Sequence, residues 1–272
     1  MADPVARVST LSSRGGGTTP VERAIPEEVA VAFTYEGGTH AVMMATPQDL
    51  EDLALGFSLT EGIVDAPSDI RDLRVVAAAG GIELRMWLAE APGAAIRERR
   101  RHMAGPTGCG LCGIESLAEA IRPLAPVPEG MAFAAAAIMR AMEALAPLQV
   151  LNRETHAVHA AAFWRPDAGI VLIREDVGRH NALDKLIGAM ARTGMARTDG
   201  LLLLTSRVSV EMVQKAAIAG LPTIVAVSAP TALAVRTAEA AGITLVAVAR
   251  RDGFEIFANP HRVLTEAVAD VA

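Results

Sequence analysis

The sequence predicts an α/β protein in two parts, a smaller α+β region followed by a strand-helix repeat. Three observations carry that prediction. Residues 28–45 and 73–88 alternate apolar and polar side chains around glycine turns, as half-buried hairpins do. The second half holds four short apolar runs, at Ile170–Arg174, Leu201–Thr205, Thr223–Val227 and Ile243–Val248. Helical segments fill the gaps near Ala182–Thr193, Val208–Ala219 and Ala232–Ala241, a rhythm that implies a largely parallel sheet covered by helices.

Composition bounds the rest. A chain of 272 residues can bury a substantial core in one or two domains. With 51% hydrophobic residues it is no disordered protein, and a net charge of −6 argues against a general nucleic-acid binder. The N-terminus lacks the apolar run of a signal peptide. Apolar stretches such as Thr223–Val235 are broken by Ser228 and Pro230, so no membrane span is expected. Two cysteines make no disulfide framework, and a thiol pair suits a reducing cytoplasm.

Taken in order, residues 1–24 read as a flexible tail. Their Gly15-Gly16-Gly17 run has neither the preceding strand nor the following helix of a phosphate loop. A small α+β domain is expected over 25–128. Val29, Val31, Phe33 and Tyr35 share one strand face, Glu36–Thr39 turns, and His40–Ala45 returns. Thr46-Pro47-Gln48-Asp49 reads as a helix start with Thr46 as cap, and Leu50, Leu53, Ala54 and Phe57 form its buried stripe. A second hairpin turns at Gly80-Gly81, and a short helix is expected from Ile114. Pro123, Pro126 and Pro128 mark the boundary to a second domain over 129–272, which opens with an alanine-rich helix ended by Pro147.

Both cysteines sit in Gly108-Cys109-Gly110-Leu111-Cys112-Gly113. Glycines leave the sulfurs on a bare loop that a partner's sulfur can reach. Half a zinc site, a dithiol redox pair and a sulfur-carrying nucleophile all stay open. The run Arg97-Glu98-Arg99-Arg100-Arg101-His102 lies just ahead. Short charge runs usually mark a solvated helix face, but arginines near a thiol favour the thiolate and attract anions. His156 and His159 could complete a Cys2His2 zinc set, yet they lie more than forty residues from the cysteines. No metal of its own is expected. A zinc deaminase would need a His-x-Glu, and His159 is followed by Ala160-Ala161.

In parallel sheets, ligands bind beyond the carboxyl ends of the strands. Here those ends read Glu175–Asn181, Ser206-Arg207, Ser228-Ala229-Pro230 and Arg250-Arg251-Asp252-Gly253. Polar and cationic residues gather on that edge, which suggests a large anionic ligand bearing phosphates.

Glu175-Asp176-Val177-Gly178-Arg179-His180-Asn181-Ala182-Leu183-Asp184-Lys185 resembles the signature of the formate dehydrogenase accessory sulfurtransferases, the FdhD family. The resemblance extends to Thr46-Pro47, Glu51–Phe57, Glu61-Gly62, the cysteine loop, Leu204–Arg207 and Glu211–Ala216, and covers about residues 25–265. One departure is visible: the family's Thr-Gly-Gly is replaced by Thr155-His156-Ala157. The resemblance implies a cytidine-deaminase-like C-terminal domain and a homodimer. It also implies a sulfurtransferase that takes persulfide sulfur from a cysteine desulfurase. The sulfur then goes to the molybdenum (or tungsten) bis(molybdopterin guanine dinucleotide) cofactor needed by formate dehydrogenase. Cys109 would carry the persulfide beside Cys112. Val248, Ala249, Arg250, Arg251, Asp252 and Gly253 would bind the cofactor, and the strand-end residues Arg179, His180, Ser206 and Arg207 join them as candidates. A non-catalytic cofactor chaperone and a thiol-disulfide oxidoreductase are the competing readings; a thiol-disulfide oxidoreductase would place its cysteines at a strand-helix junction.

Overall fold

The computed structural model describes residues 3–102 and 124–264, the side chains of 97–102 excepted. Cys109, Cys112 and the helix expected from Ile114 lie outside the described residues, as do the side chains of the Arg97–His102 run. Among the described residues the α-helices are α1 (Leu50–Thr60), α2 (Glu90–His102), α3 (Ala135–Leu145), α4 (Val150–Thr155), α5 (Arg179–Arg192), α6 (Val210–Ile218) and α7 (Ala232–Ala241). None is long and apolar enough to cross a membrane.

The chain divides into two compact units, and neither is one continuous stretch. The first gathers Met1–Arg122, Gln149–Ala160 and Arg174–Thr193; the second gathers Pro123–Leu148, Ala161–Ile173 and Gly194–Ala272. The division at Arg122/Pro123 lies close to the proline-marked boundary, but residues 149–160 and 174–193 return to the first unit.

In the first unit, β1 (Val5–Arg14) and β2 (Gly17–Pro26) pair antiparallel from Val5↔Pro26 to Arg14↔Gly17. This replaces the expected flexible tail. A serine, threonine and glycine composition masks the strands, and Gly15 and Gly16, at φ 59° and 83°, form the tight turn between them. A four-stranded sheet follows, built from β3 (Val29–Tyr35), β4 (Gly38–Ala45), β5 (Ile70–Ala78) and β6 (Gly81–Leu88) in the order β4-β3-β6-β5. Its two central strands run parallel and each outer pair is a hairpin. Val31, Phe33 and Tyr35 are fully buried, and the Leu50, Leu53, Ala54 and Phe57 stripe of α1 joins them in one core. Helix α1 starts later than expected, with Asp49 at φ 52° as its N-cap and no side-chain cap. Thr46 is used elsewhere, as described below. Helices α1 and α5 pack closely at Gly56 and Gly188. A Cβ on Gly56 would strike the Asp184 carbonyl, and one on Gly188 the Asp52 carbonyl.

The second unit is built on a six-stranded sheet in the order β13-β12-β11-β10-β8-β9. Its members are β8 (His159–Arg165), β9 (Gly169–Asp176), β10 (Leu201–Leu204), β11 (Thr223–Ala226), β12 (Thr244–Arg250) and β13 (Gly253–Ala258), while the short β7 (Phe133–Ala134) and β14 (Val263–Leu264) pair with each other. β10, β11 and β12 are parallel; β8 and β13 flank them antiparallel, so the sheet is mixed. Leu201, Leu203, Val225 and Val246 pack with Ile138, Ala141 and Leu145 of α3. Leu202, Leu204, Ile224 and Leu245 alternate to the other face and are equally buried. Burial on both faces explains why these strands read as unbroken apolar runs.

Candidate functional site

The predicted residues of the second unit gather where β10, β11 and β12 end. Parallel neighbours end on the same edge, so Ser206-Arg207, Ser228–Pro230 and Val248–Gly253 are placed side by side. Backbone bonds tie them: Val227 N–H donates to the Leu204 carbonyl at 3.0 Å, Val248 N–H to the Ser228 carbonyl at 3.4 Å, and Val208 bridges Pro230. Helices α6 and α7 start here, with Ser209 and Thr231 as N-caps, and turn their positive ends to the edge. The Thr231 hydroxyl accepts from Ala234 N–H at 3.2 Å. Ser209 makes no such bond, and its buried hydroxyl has no partner among the described residues. Sequence reasoning passed over Ser209, although a serine directly before a helix was a usable signal.

Ser206 is buried and its hydroxyl donates to the Arg207 carbonyl at 3.0 Å. Arg207, Arg250, Arg251 and Asp252 are exposed, and none of the ion pairs among the described residues uses the three arginines. Val248 adopts φ 52°. A β-branched residue enters that left-handed region at a cost of order 1–3 kcal/mol. The register between β12 and β13 shifts between Ala247 and Arg250, so the bulge turns the strand end away from the ladder. Ala249 packs back into the core. Three arginines with no carboxylate partner among the described residues and two helix N-termini give this edge chemistry suited to an anion.

The long signature of the first unit has a different use. Asp176 and Lys185 are both fully buried, with Nζ 2.6 Å from Oδ2. Thr46 N–H donates to the same Oδ2 at 3.1 Å, and Gly178 N–H and the Asn181 amide donate to Oδ1 at 2.8 and 2.9 Å. Lys185 also donates to the Thr46 carbonyl at 3.0 Å, and the Thr46 hydroxyl accepts from Val177 N–H at 3.1 Å. That duty is why Thr46 is not a helix cap. Burial pushes the Lys185 ammonium below its ordinary value, against the opposing pull of Asp176. Glu175 accepts from Leu151 and Asn152 N–H, both at 2.8 Å, and so caps α4. Asp184 accepts from the Thr60 hydroxyl at 2.8 Å, and Arg174 pairs with buried Asp52 at 2.7 Å.

Glu175, Asp176 and Asn181 are therefore structural, because buried charge must be paired and hydrogen-bonded. Arg179 and His180 open α5 after Gly178 and are half-buried. Arg179 Nε is buried with no partner among the described residues. His156 ends α4 at φ 56° and His159 begins β8. No cluster of three or more metal-ligating side chains occurs among the described residues.

The sequence profile of the FdhD/NarQ family matches residues 26–264. A sulfur carrier protein FdhD from Agrobacterium fabrum is 53% identical over 262 residues, covering 95% of this chain and 96% of its own. The protein of the same name from Brucella abortus is 52% identical, covering 94% and 96%. The crystal structure of a candidate formate dehydrogenase accessory protein from Desulfotalea psychrophila matches with a TM-score of 0.75 at 24% identity, over 96% of this chain and 100% of that one, and supports the fold. With its profile matched from the four-stranded sheet to the last described strand, and with relatives more than half identical along nearly their whole length, the chain belongs to the FdhD/NarQ family.

Proposed function

We propose that this chain is a sulfur carrier serving formate dehydrogenase, and that it moves sulfur as a cysteine persulfide. The observation that carries the reading is the identity of 53% and 52%, over nearly full length, to proteins named sulfur carriers. The donor is a cysteine desulfurase. Thiolate of Cys109 attacks the terminal sulfur of the desulfurase persulfide, the S–S bond there breaks, and the desulfurase cysteine leaves as thiolate. Release of that sulfur as sulfide needs two electrons. Cys112 supplies them by closing a disulfide with Cys109.

The acceptor is the molybdenum bis(molybdopterin guanine dinucleotide) cofactor, which this protein binds as substrate. Its diphosphates match Arg207, Arg250 and Arg251, and the Val248–Gly253 bulge brings backbone toward them. Ser206 completes the proposed binding set of the second unit; Arg179 and His180 of the first unit are proposed as cofactor-binding residues in their own right. The second unit is proposed to follow the cytidine-deaminase-like α/β/α layering, a reading supported by its mixed sheet buried on both faces. A cytoplasmic homodimer is the proposed working form.

Intact-protein mass spectrometry after incubation with a desulfurase and cysteine tests the reading. Wild type gains one sulfur atom and Cys109→Ala gains none. Cys112→Ala takes up sulfur but fails to release it as sulfide. An active desulfurase that loads neither wild type nor variant would favour the chaperone reading instead.

A further inference from the structure

The β1-β2 ribbon is a two-stranded sheet of its own, and it begins ahead of residue 26, where the family profile starts. Its base is held by contact between β2 and α4 and by Arg7 against Glu154 at 3.2 Å. The phase of its ladder is fixed by Glu27 N–H, which donates to the Pro4 carbonyl at 2.8 Å. With that bond and the register Val5↔Pro26, the even-numbered residues of β1 exchange hydrogen bonds with β2. The backbone N–H and C=O of the odd-numbered residues point outward. On β2 the outward set is Thr18, Pro20, Glu22, Ala24 and Pro26. Both prolines of β2 thus fall on its outer edge, where each removes a donor.

The outer edge of β1 is left open. Val5, Arg7, Ser9, Leu11 and Ser13 face it, and none is proline. Val5 N–H donates to Asp3 Oδ1 at 2.9 Å. The backbone of Arg7, Ser9, Leu11 and Ser13 makes no outward hydrogen bond among the described residues, and no third strand joins the ribbon there. Edge strands are normally blunted by proline, charge or a covering element, and a two-stranded hairpin is marginal in water without a third strand. One edge of this ribbon is blunted twice and the other is kept. Charge selects what the kept edge receives. The charged residues of β1 are Arg7 and Arg14, one on each face. Arg14 is exposed and makes no ion pair among the described residues. Arg7 is 64% exposed, and its pairs with Glu22 and Glu154 are exposed too, so they yield to a competing carboxylate. Between the arginines lie small hydroxyls at Ser9, Thr10, Ser12 and Ser13, with Val8 37% and Leu11 70% exposed.

We propose that the outer edge of β1 is a docking strand for an acidic, extended segment of a different protein, which adds there as a third strand. The backbone of that segment pairs with Arg7, Ser9, Leu11 and Ser13 over about 20 Å. Its apolar side chains meet Val8 and Leu11, and its carboxylates meet Arg7 and Arg14. A second β1 strand is a poor occupant, because it brings the arginines of both copies onto one short ribbon. A single added strand makes a small, transient contact, which suits a carrier that must leave each partner it serves.

Fluorescence anisotropy of a labelled peptide, alternating valine and threonine with glutamate at both ends, titrated with the full chain tests the proposal. Wild type is expected to bind it saturably, to bind it more weakly as salt rises, and to leave a counterpart with lysine ends unbound. Ser9→Pro removes one outward donor and spares the ladder, as Pro20 does on β2. It is expected to weaken binding about tenfold, whereas Ser9→Ala leaves binding unchanged. Arg14→Glu is expected to weaken it by about as much. Amide exchange read by NMR at Val8, Thr10 and Ser12 shows that the ribbon survives in each variant. No saturable binding by wild type overturns the proposal. So does binding indifferent to Ser9→Pro and Arg14→Glu, or equal binding of the lysine peptide. Protection of the Ser9 and Leu11 amides in the protein alone as its concentration rises overturns it too, by putting a second copy on this edge.

Discussion

Lys185 and Asp176 stand at the centre of the first unit with no exposed surface, and every oxygen of the carboxylate is used. Removing one partner of such a pair leaves the other charge buried and alone, at a cost of about 3–5 kcal/mol. Lys185→Met is therefore expected to lower stability by that amount in urea denaturation. Adding Asp176→Asn is expected to restore part of the loss. The alkaline limb is informative as well. Burial holds the lysine below its ordinary value, so above the folded value the unfolded chain binds more protons. Stability linked to this group thus rises with pH up to the unfolded lysine range. The margin of wild type over Lys185→Met widens in the same direction. His156 shows the converse. A histidine stands there at φ 56°, a conformation that favours glycine. The left-handed conformation costs a non-glycine residue about 1–2 kcal/mol, so His156→Gly is expected to raise the melting temperature by a few degrees in a calorimetric scan. The sequence marked both positions, one by signature and one by departure. It could not say that the first was structural, because Asp176 and Lys185 are buried against Thr46, more than a hundred residues away.

At the scale of elements, the α1–α5 crossing rests on two glycines without room for a methyl group. Overpacking of this kind costs typically about 1–3 kcal/mol. Gly188→Ala is expected to fall in or above that range by thermal unfolding, whereas Gly194→Ala, with nothing within 4 Å but φ 62°, is expected to cost only the about 1–2 kcal/mol of a left-handed non-glycine residue. Apolar runs with no polar interruption made β10, β11 and β12 readable in advance, since only strands buried on both faces look like that. β8 was hidden by His159-Ala160-Ala161-Ala162, which has neither alternation nor β-branched residues. The β1-β2 ribbon was hidden by its composition, because exposed strands have no apolar face to announce them. Helix α1 was placed correctly in its stripe and misplaced at its cap, because Thr46 bonds to a segment that arrives 130 residues later.

For the whole molecule, the sequence showed which residues carry charge at the strand ends but not how the chain is shared between two units. Signature residues adjoin in sequence, yet Glu175 and Asp176 are structural while Arg179 Nε has no partner among the described residues. The proposed substrate site predicts a division of labour that measurement can check. Arg207→Ala, Arg250→Ala and Arg251→Ala should each weaken binding of a guanine dinucleotide by about tenfold, the scale of one hydrogen bond to a charged group. Calorimetric titration should also find binding weakened by salt, and less steeply so in the variants. Melting temperatures should stay unchanged, because these side chains are exposed.

The chain passes between its two units five times. Thr46 and Lys185, which must meet for the first unit to close, are 139 residues apart. A ribosome that has released the whole of the first sheet and α1 has still not supplied the lysine, the aspartate or the helix those elements need. The N-terminal half must wait as an unfinished surface until the tunnel has cleared residue 192, and the second unit, begun at residue 123, waits longer still for its last strands. Native contacts this distant slow folding. A nascent chain in that interval is a natural client for a chaperone, and truncation anywhere before α5 leaves neither unit able to fold.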